Sequence, residues 1–171
     1  MNASVKPPMV SVAGFSNSGK TTLISRLIAL FAARGLKVAA IKHARHGFHM
    51  DHPGKDTQKH RQAGAYGVLV AAQGQIAVIR DVPEEPSPVE LAALYFPDAD
   101  LVFVEGYKSA RIPRMVIALC PEDFQAFEND TDVMALVGCP PSPTPLPVFD
   151  RDDVSAIANF LQKHLLDPPD R

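Results

Sequence analysis

The sequence has little of what marks disulfide-rich, membrane-spanning or nucleic-acid-binding proteins. Its two cysteines, Cys120 and Cys139, have no metal-ligand spacing and do not suggest a disulfide framework. The longest apolar run, residues 27–33, is far too short to span a bilayer. The formal net charge of -2 gives no basic footprint for nucleic acid and no long-range attraction to anionic membranes. We therefore expect no nucleic-acid or membrane partner, and any phosphate site has to be positive locally.

The length and composition are those of one globular domain. The chain has 171 residues, of which 46% are hydrophobic and 21% are charged. Pro7 and Pro8 stand where a signal peptide would need an apolar core, so we expect a cytoplasmic protein. We predict a single domain over residues 1–171, with flexible ends at 1–8 and 167–171.

Residues 14–22, with the sequence GFSNSGKTT, match the phosphate-binding loop pattern G-x-x-x-x-G-K-[ST]. An apolar stretch precedes the match and apolar residues at helical spacing follow it, which is the context the motif needs. Gly14 and Gly19 let N–H groups point inward, and the helix start adds free N–H groups and its positive dipole end. Lys20 supplies a charge for the β- and γ-phosphates, and the Thr21 hydroxyl can ligate Mg²⁺. The predicted nucleotide-binding residues are Gly14, Ser16, Asn17, Ser18, Gly19, Lys20, Thr21 and Thr22.

The order of predicted elements indicates an α/β fold: a three-layer α/β/α P-loop NTPase with a mostly parallel sheet and an added β-hairpin. A strand at 9–13, a helix at 20–34 and a strand at 37–41 predict a right-handed crossover with a parallel pair. Gln73-Gly74 supplies a tight turn between hairpin strands at 66–72 and 75–82. We also predict helices at 57–63, from Ser87 to before Pro97 and from about Asp152, strands at 100–105, 115–120 and 133–137, and an extended proline-rich connection at 139–147.

Glu105 is the predicted acidic partner of the phosphate loop. It ends an otherwise uncharged apolar strand, and Asp100 at the other end lies roughly 17 Å away. Only Glu105 can therefore approach the phosphates and hold a metal ion, and Gly106 permits close backbone approach. Asp56 is a second candidate metal ligand, which could equally be a plain helix cap or serve both roles.

A second anion-binding rim is predicted beside the phosphate loop. Lys42, His43 and His46 follow the second strand, and Lys108, with Arg111 and Arg114, follows the Glu105 strand. Parallel strands end at one edge of the sheet, so these side chains are expected there, where the first three would contact the γ-phosphate or a second anionic ligand. Lys108, Arg111 and Arg114 could equally form a solvated basic loop. The histidines His43, His46, His49 and His52 also leave transition-metal binding open, although no cysteine lies nearby.

Five segments together resemble the MobB family of molybdopterin-guanine dinucleotide biosynthesis proteins. Their order and spacing agree with that family over about residues 9–120, whereas the later region matches only loosely apart from its closing helix. The segments are GFSNSGKTT at 14–22, IKH at 41–43 with His46, PGKDT at 53–57, AGA at 63–65 and VEGYK at 104–108.

The resemblance implies a GTP-binding protein with weak GTPase activity that uses Mg²⁺. Lys20 and Thr21 would then bind phosphate and magnesium, with Lys20 and Glu105 as the catalytic residues. It implies a homodimer formed with help from the hairpin at 66–82, and an accessory role beside MobA, the guanylyltransferase that attaches GMP to molybdopterin. Whether molybdopterin or a molybdoenzyme also binds stays open. The sequence contains no Asn-Lys-x-Asp guanine-reading motif, and residues 150–153 are a weak candidate for base contacts.

Two other functions remain open from the sequence. A small-molecule kinase would use the same phosphate loop but needs an acceptor pocket and usually an arginine-rich lid. Arg61, Arg111 and Arg114 are too dispersed to indicate such a lid. A metal carrier would use the histidine segment 43–52, and retention of metal after dialysis would reveal it.

Overall fold

Strands and helices alternate along most of the chain. In order they are β1 Met9–Ala13, α1 Lys20–Ala33, β2 Val38–Lys42, α2 Asp56–Gln62, β3 Gly67–Ala72, β4 Gln75–Arg80, α3 Pro88–Tyr95, β5 Leu101–Glu105, β6 Arg114–Ala118, a 3₁₀ helix Pro121–Phe127, β7 Val133–Gly138, β8 Val148–Phe149, α4 Val154–Leu161 and a π-helical turn Gln162–Leu166. The computed structural model describes residues 6–45, 47–48, 54–140 and 143–167. They divide into two units, Ala44–Pro86 and the remainder of the chain. Within those ranges no helix has the length and apolar character needed to cross a bilayer.

The larger unit is built on a six-stranded sheet in the order β2-β5-β1-β6-β7-β8, and every neighbouring pair is parallel. Strands β1, β5 and β6 occupy the centre and are apolar along most of their length, because helices cover both faces of the sheet. The six strands of this sheet therefore end at one edge, where the residues that directly follow β1, β2 and β5 lie. The predicted parallel α/β class is confirmed.

Helices pack on both faces of this sheet. On one face, Leu27 and Phe31 of α1 and Leu161 of α4 are fully buried against the strands. On the other, Ala92 of α3 packs with β2 and β5, and Phe127 of the 3₁₀ helix packs against β6 and β7. This gives the expected three layers, with the sheet's carboxyl edge left open between them.

The predicted pairing of the first two strands is wrong in one respect. β2 is parallel to β1, but β5 lies between them, with Val102 opposite both Met9 and Ala39. The reason is burial: the four residues before Glu105 in β5 are fully buried, whereas β2 exposes Ala40 and half-exposes its first residues. The more apolar strand takes the central place, and β2 takes the edge.

The smaller unit contains α2 and the hairpin β3–β4. The strands pair antiparallel across Gln73 and Gly74, whose φ angles of 50° and 79° make the predicted tight turn. The predicted cap of α2 is wrong, because Lys55 is the N-cap and Asp56 is the first helical residue. The Asp56 carboxylate instead accepts a hydrogen bond from Lys59 at 3.1 Å.

The other predicted helices and strands agree with the structure to within a few residues at their ends, and the single domain over residues 1–171 stays a prediction. Ser87 and Glu90 form the expected capping box of α3, and Asp153 caps α4. The described parts of 139–147, which are 139–140 and 143–147, contain no helix or strand. The 3₁₀ helix and β8 were not predicted, since neither has a clear apolar period. Residues 1–5 and 168–171 of the predicted flexible ends lie outside the described residues.

Candidate functional site

The predicted phosphate loop joins β1 to α1 at the carboxyl edge of the sheet. Its turns need left-handed backbone at Asn17 (φ 60°) and Gly19 (φ 92°), and Gly19 is the N-cap of α1. A Cβ atom added to Gly14 would lie 2.8 Å from the carbonyl oxygen of Ile117 in β6. The first glycine is therefore required for packing as well as for the turn, and α1 begins at Lys20 with its free N–H groups facing the loop.

Lys20 is held over this loop by its own backbone. Its ammonium group donates hydrogen bonds to the carbonyl oxygens of Phe15 at 2.5 Å and Gly14 at 3.2 Å. Partial burial lowers the pKa of Lys20 below its ordinary 10.5; the nearby Glu105 opposes that shift, and Lys108 and Lys42 add to it. The cations predicted for the loop and for the rim after β2 and β5 therefore lie close enough to influence one another.

Glu105 meets the phosphate loop through Thr21. The Thr21 hydroxyl lies 3.0 Å from each Glu105 carboxylate oxygen and donates to this group, and the Lys42 ammonium lies 3.6 Å from one of those oxygens. Asp100 stays at the opposite end of its strand, where it accepts a hydrogen bond from the Lys37 N–H. The structure thus brings together the lysines, hydroxyl and carboxylate that the sequence predicted on separate strands.

Gly106 lets the ends of β2 and β5 approach closely. Its φ is 100°, and a Cβ atom there would lie 2.7 Å from the Cβ of His43. The His43 N–H donates to the carbonyl oxygen of Glu105 at 2.8 Å, and the His43 ring lies 4.8 Å from the Tyr107 ring. The close contact at Gly106 is with the start of the segment after β2, and an approach of this backbone to a phosphate stays a prediction.

Both arginines expected on this rim lie near aspartates that were not part of the predicted site. Arg114 is 3% exposed, forms an ion pair with Asp130 and donates to the Lys108 and Ala110 carbonyl oxygens. Arg111 lies 3.8 Å from Asp132. The prediction that Arg114 lines the rim is wrong, because the strand that begins with it buries its side chain.

The predictions for the histidine segment and for Asp56 stay untested by the geometry. His46, His49 and His52 lie outside the described residues. Asp56 belongs to the smaller unit. Among the residues described, no group of three His, Cys, Asp or Glu side chains could hold a metal ion.

A cavity of about 120 Å³ opens beside the phosphate loop. Its walls include Ser18, Gly19 and Thr22 from the loop and α1, and Arg151 and Asp152 after β8. Arg26, which the sequence analysis missed, completes the wall and forms a 2.9 Å ion pair with Asp152. No sequence signal could have found Arg26, because its role depends on where the loop after β8 meets α1.

The family model for molybdopterin guanine dinucleotide synthesis protein B, MobB, matches residues 9–139. The chain belongs to the MobB family. It is 33% identical over 162 residues to the molybdopterin-guanine dinucleotide biosynthesis adapter protein of Escherichia coli strain K12, covering 90% of this chain and 91% of that protein. It is 31% identical to the protein of the same name from Haemophilus influenzae, covering 92% and 89%.

Solved MobB structures share the fold. The crystal structure of Bacillus subtilis MobB has a TM-score of 0.77 and 30% identity, covering 92% of this chain and 98% of that one. A crystal structure of molybdopterin-guanine biosynthesis protein B has a TM-score of 0.76 and 33% identity, covering 92% and 99%. The predicted MobB family and P-loop NTPase fold are therefore confirmed, while the roles of the individual site residues stay predictions.

Proposed function

We propose that this MobB-family chain binds GTP with Mg²⁺, hydrolyses it slowly, and acts as an adapter in molybdopterin-guanine dinucleotide synthesis. The pathway comes from the family and from the adapter function named for its relatives. The choice of guanine comes from the family resemblance, and the site supports a triphosphate with Mg²⁺. The observation that carries the proposal is the convergence of Lys20, Thr21 and Glu105 at the loop between β1 and α1.

The loop supplies most of what a triphosphate needs. The amides of 14–19 and the first turn of α1 are donors for phosphate oxygens, reinforced by the positive end of the helix dipole. Lys20 donates to two neutral carbonyl oxygens of the loop. Phosphate oxygens accept charge-assisted bonds that are stronger, so Lys20 would exchange its carbonyl partners for the β- and γ-phosphates.

The donor set beside Lys20 fits magnesium. Mg²⁺ prefers hard oxygen ligands, and the Thr21 hydroxyl and the Glu105 carboxylate stand 3.0 Å apart. These residues would hold the ion, which would supply positive charge to the phosphate oxygens during hydrolysis. Lys42, 3.6 Å from Glu105, would keep that carboxylate at the end of β5.

Slow turnover follows from the kind of catalysis such a site offers. Phosphoryl transfer depends mainly on positioning and charge stabilisation, which Lys20 and Glu105 would provide. Rapid hydrolysis usually needs a further charged group supplied by the chain or by a partner. We propose that a MobA-type guanylyltransferase is the protein this adapter serves.

We further propose that the chain is a homodimer through its hairpin. The hairpin exposes apolar side chains on both strands, including Leu69 at 61% and Ile76 at 72%. An isolated two-stranded hairpin is marginal in water, and a second copy would cover these residues. Ile76→Glu should then give monomers in sedimentation velocity, and an unchanged sedimentation coefficient would remove the hairpin from the dimer contact.

Calorimetric titration of GTP in the presence of Mg²⁺ tests the nucleotide site. Lys20→Ala should weaken GTP binding by about a hundredfold or more, because two phosphates lose a charged donor. Lys37→Ala is the matched control, since Lys37 pairs with Asp98 on the surface away from the loop. Equal GTP affinities in the two folded variants would contradict the site assignment.

A further inference from the structure

The cavity beside the phosphate loop is lined by charged residues of both signs and by apolar residues, which are Arg26, Arg151, Asp152, Leu23, Ile117 and Val137. Its volume of about 120 Å³ is several times the share of one liquid water, about 30 Å³. It can therefore take a ring-sized group, although it is too small for a whole nucleotide. Any ligand group in it would lie against Gly19 and Thr22, so the cavity continues the phosphate site along α1.

Arg151 crosses from the end of β7 to the phosphate loop. A Cβ atom added to Gly138 would lie 3.6 Å from the Arg151 Cδ, and one added to Gly19 would lie 3.2 Å from its Nη2. The arginine stem therefore runs past one glycine and its guanidinium reaches the other. A planar guanidinium in this position can cover one face of an aromatic ring.

Asp152 supplies a carboxylate on the adjoining wall. Arg26 of α1 donates to one Asp152 carboxylate oxygen at 2.9 Å and to the Asp152 carbonyl oxygen at 3.2 Å. A carboxylate has about four acceptor positions, so this pair leaves acceptor capacity for a ligand. One contact from Arg26 reaches the carboxylate and the other reaches the main chain of Asp152, so this pair links Asp152 to α1.

Ser18 adds a polar group without a partner to the same cavity. Its side chain is 1% exposed, and its hydroxyl has no hydrogen-bond partner among the described residues. Buried hydroxyl groups normally have a partner, so the wall of the cavity contains a polar group that the fold leaves unused.

We propose that this cavity is the guanine subsite and that Asp152 reads the base. The inference rests on the proposed function, which supplies GTP as the ligand. Guanine presents its N1–H and 2-amino group as adjacent donors, and a carboxylate can accept both. Adenine presents an acceptor at N1 and has no 2-amino group. Arg26 orients Asp152 for this contact, and Arg151 covers the ring. The subsite would take the place of the guanine-reading motif that the sequence lacks.

Unmodified protein gives the first test. Inosine triphosphate keeps the N1–H but lacks the 2-amino group, so it should bind about tenfold more weakly than GTP. ATP lacks both donors and should bind more weakly still. Equal affinities for GTP and inosine triphosphate, measured by calorimetry with Mg²⁺, would overturn the assignment of a carboxylate to the base edge.

Asp152→Asn gives the second test. An Asn amide can donate to the 2-oxo group of xanthine, so the variant should lose about tenfold in GTP affinity and gain about tenfold for xanthosine triphosphate. Asp98→Asn is the matched control, because Asp98 is an exposed carboxylate paired with Lys37. It should leave both affinities unchanged. Asp152 has an 89% exposed side chain, so the variant should fold, and circular dichroism checks this.

The outcomes separate this inference from the nucleotide site itself. If the unmodified protein fails to bind GTP, or binds it independently of Lys20, the proposed function fails and the guanine subsite falls with it. If GTP binding depends on Lys20 but Asp152→Asn weakens GTP, ATP and xanthosine triphosphate alike, the carboxylate contacts the ribose and only this inference is overturned. An unchanged ratio of GTP to xanthosine triphosphate overturns it as well.

Discussion

The carboxyl edge of the sheet and the hairpin unit use apolar residues in opposite ways. The strands and helices that carry the phosphate loop bury Leu27, Phe103 and their neighbours completely. In the smaller unit no described residue is buried, and Leu69 and Ile76 face outward. The first region is therefore specified by its own core, whereas Leu69 and Ile76 of the second are left exposed by the residues that the structure describes. The proposed nucleotide binding belongs to the first region and the proposed association with another chain to the second.

The largest expected effect is on the free energy of unfolding, when a buried leucine of the first region and an exposed leucine of the second are each replaced. Leu27→Ala removes a fully buried side chain and should lower the free energy of unfolding by about 2–5 kcal/mol. Leu69→Ala alters a side chain that is 61% exposed and should change the free energy of unfolding by less than about 0.5 kcal/mol. Urea denaturation at low protein concentration measures both. Similar losses of unfolding free energy in the two variants would show that the hairpin is stabilised by its own packing, which would contradict the difference between the two regions.

A smaller difference in the free energy of unfolding is expected between replacing a glycine at the site and replacing a glycine at the hairpin turn. Gly106→Ala combines a φ of 100° with a Cβ contact of 2.7 Å at His43 and should cost about 1–3 kcal/mol or more. Gly74→Ala has a φ of 79° but open space around its Cβ, so it should cost only about 1 kcal/mol. Thermal unfolding measures the two losses.

The two glycine variants should also differ in function. A shift at Gly106 moves Glu105 away from Thr21, so GTP affinity in Mg²⁺ should fall. The Gly74 variant should keep its affinity. If both variants bind GTP equally well, the close approach of β2 and β5 does not position the carboxylate.

Local sequence rules account for the phosphate loop and most elements, because each depends on neighbouring residues. The loop from Gly14, the turn at Gln73-Gly74 and the capping box at Ser87 are of this kind. Predictions failed where distant residues compete. The central place of β5, the buried ion pair of Arg114 and the pairing of Arg26 with Asp152 depend on which surfaces meet in the folded chain. Family resemblance supplied the proposed nucleotide and pathway, which no single motif specifies.

Hydrogen–deuterium exchange with and without GTP and Mg²⁺ tests the central claim most directly, since it follows both regions in one experiment. We predict that amides of residues 14–21 exchange more slowly when the nucleotide is added, because phosphate oxygens accept from them. Exchange at the hairpin turn of residues 73–74 should stay the same. Unchanged exchange at 14–21 under saturating nucleotide would contradict the account.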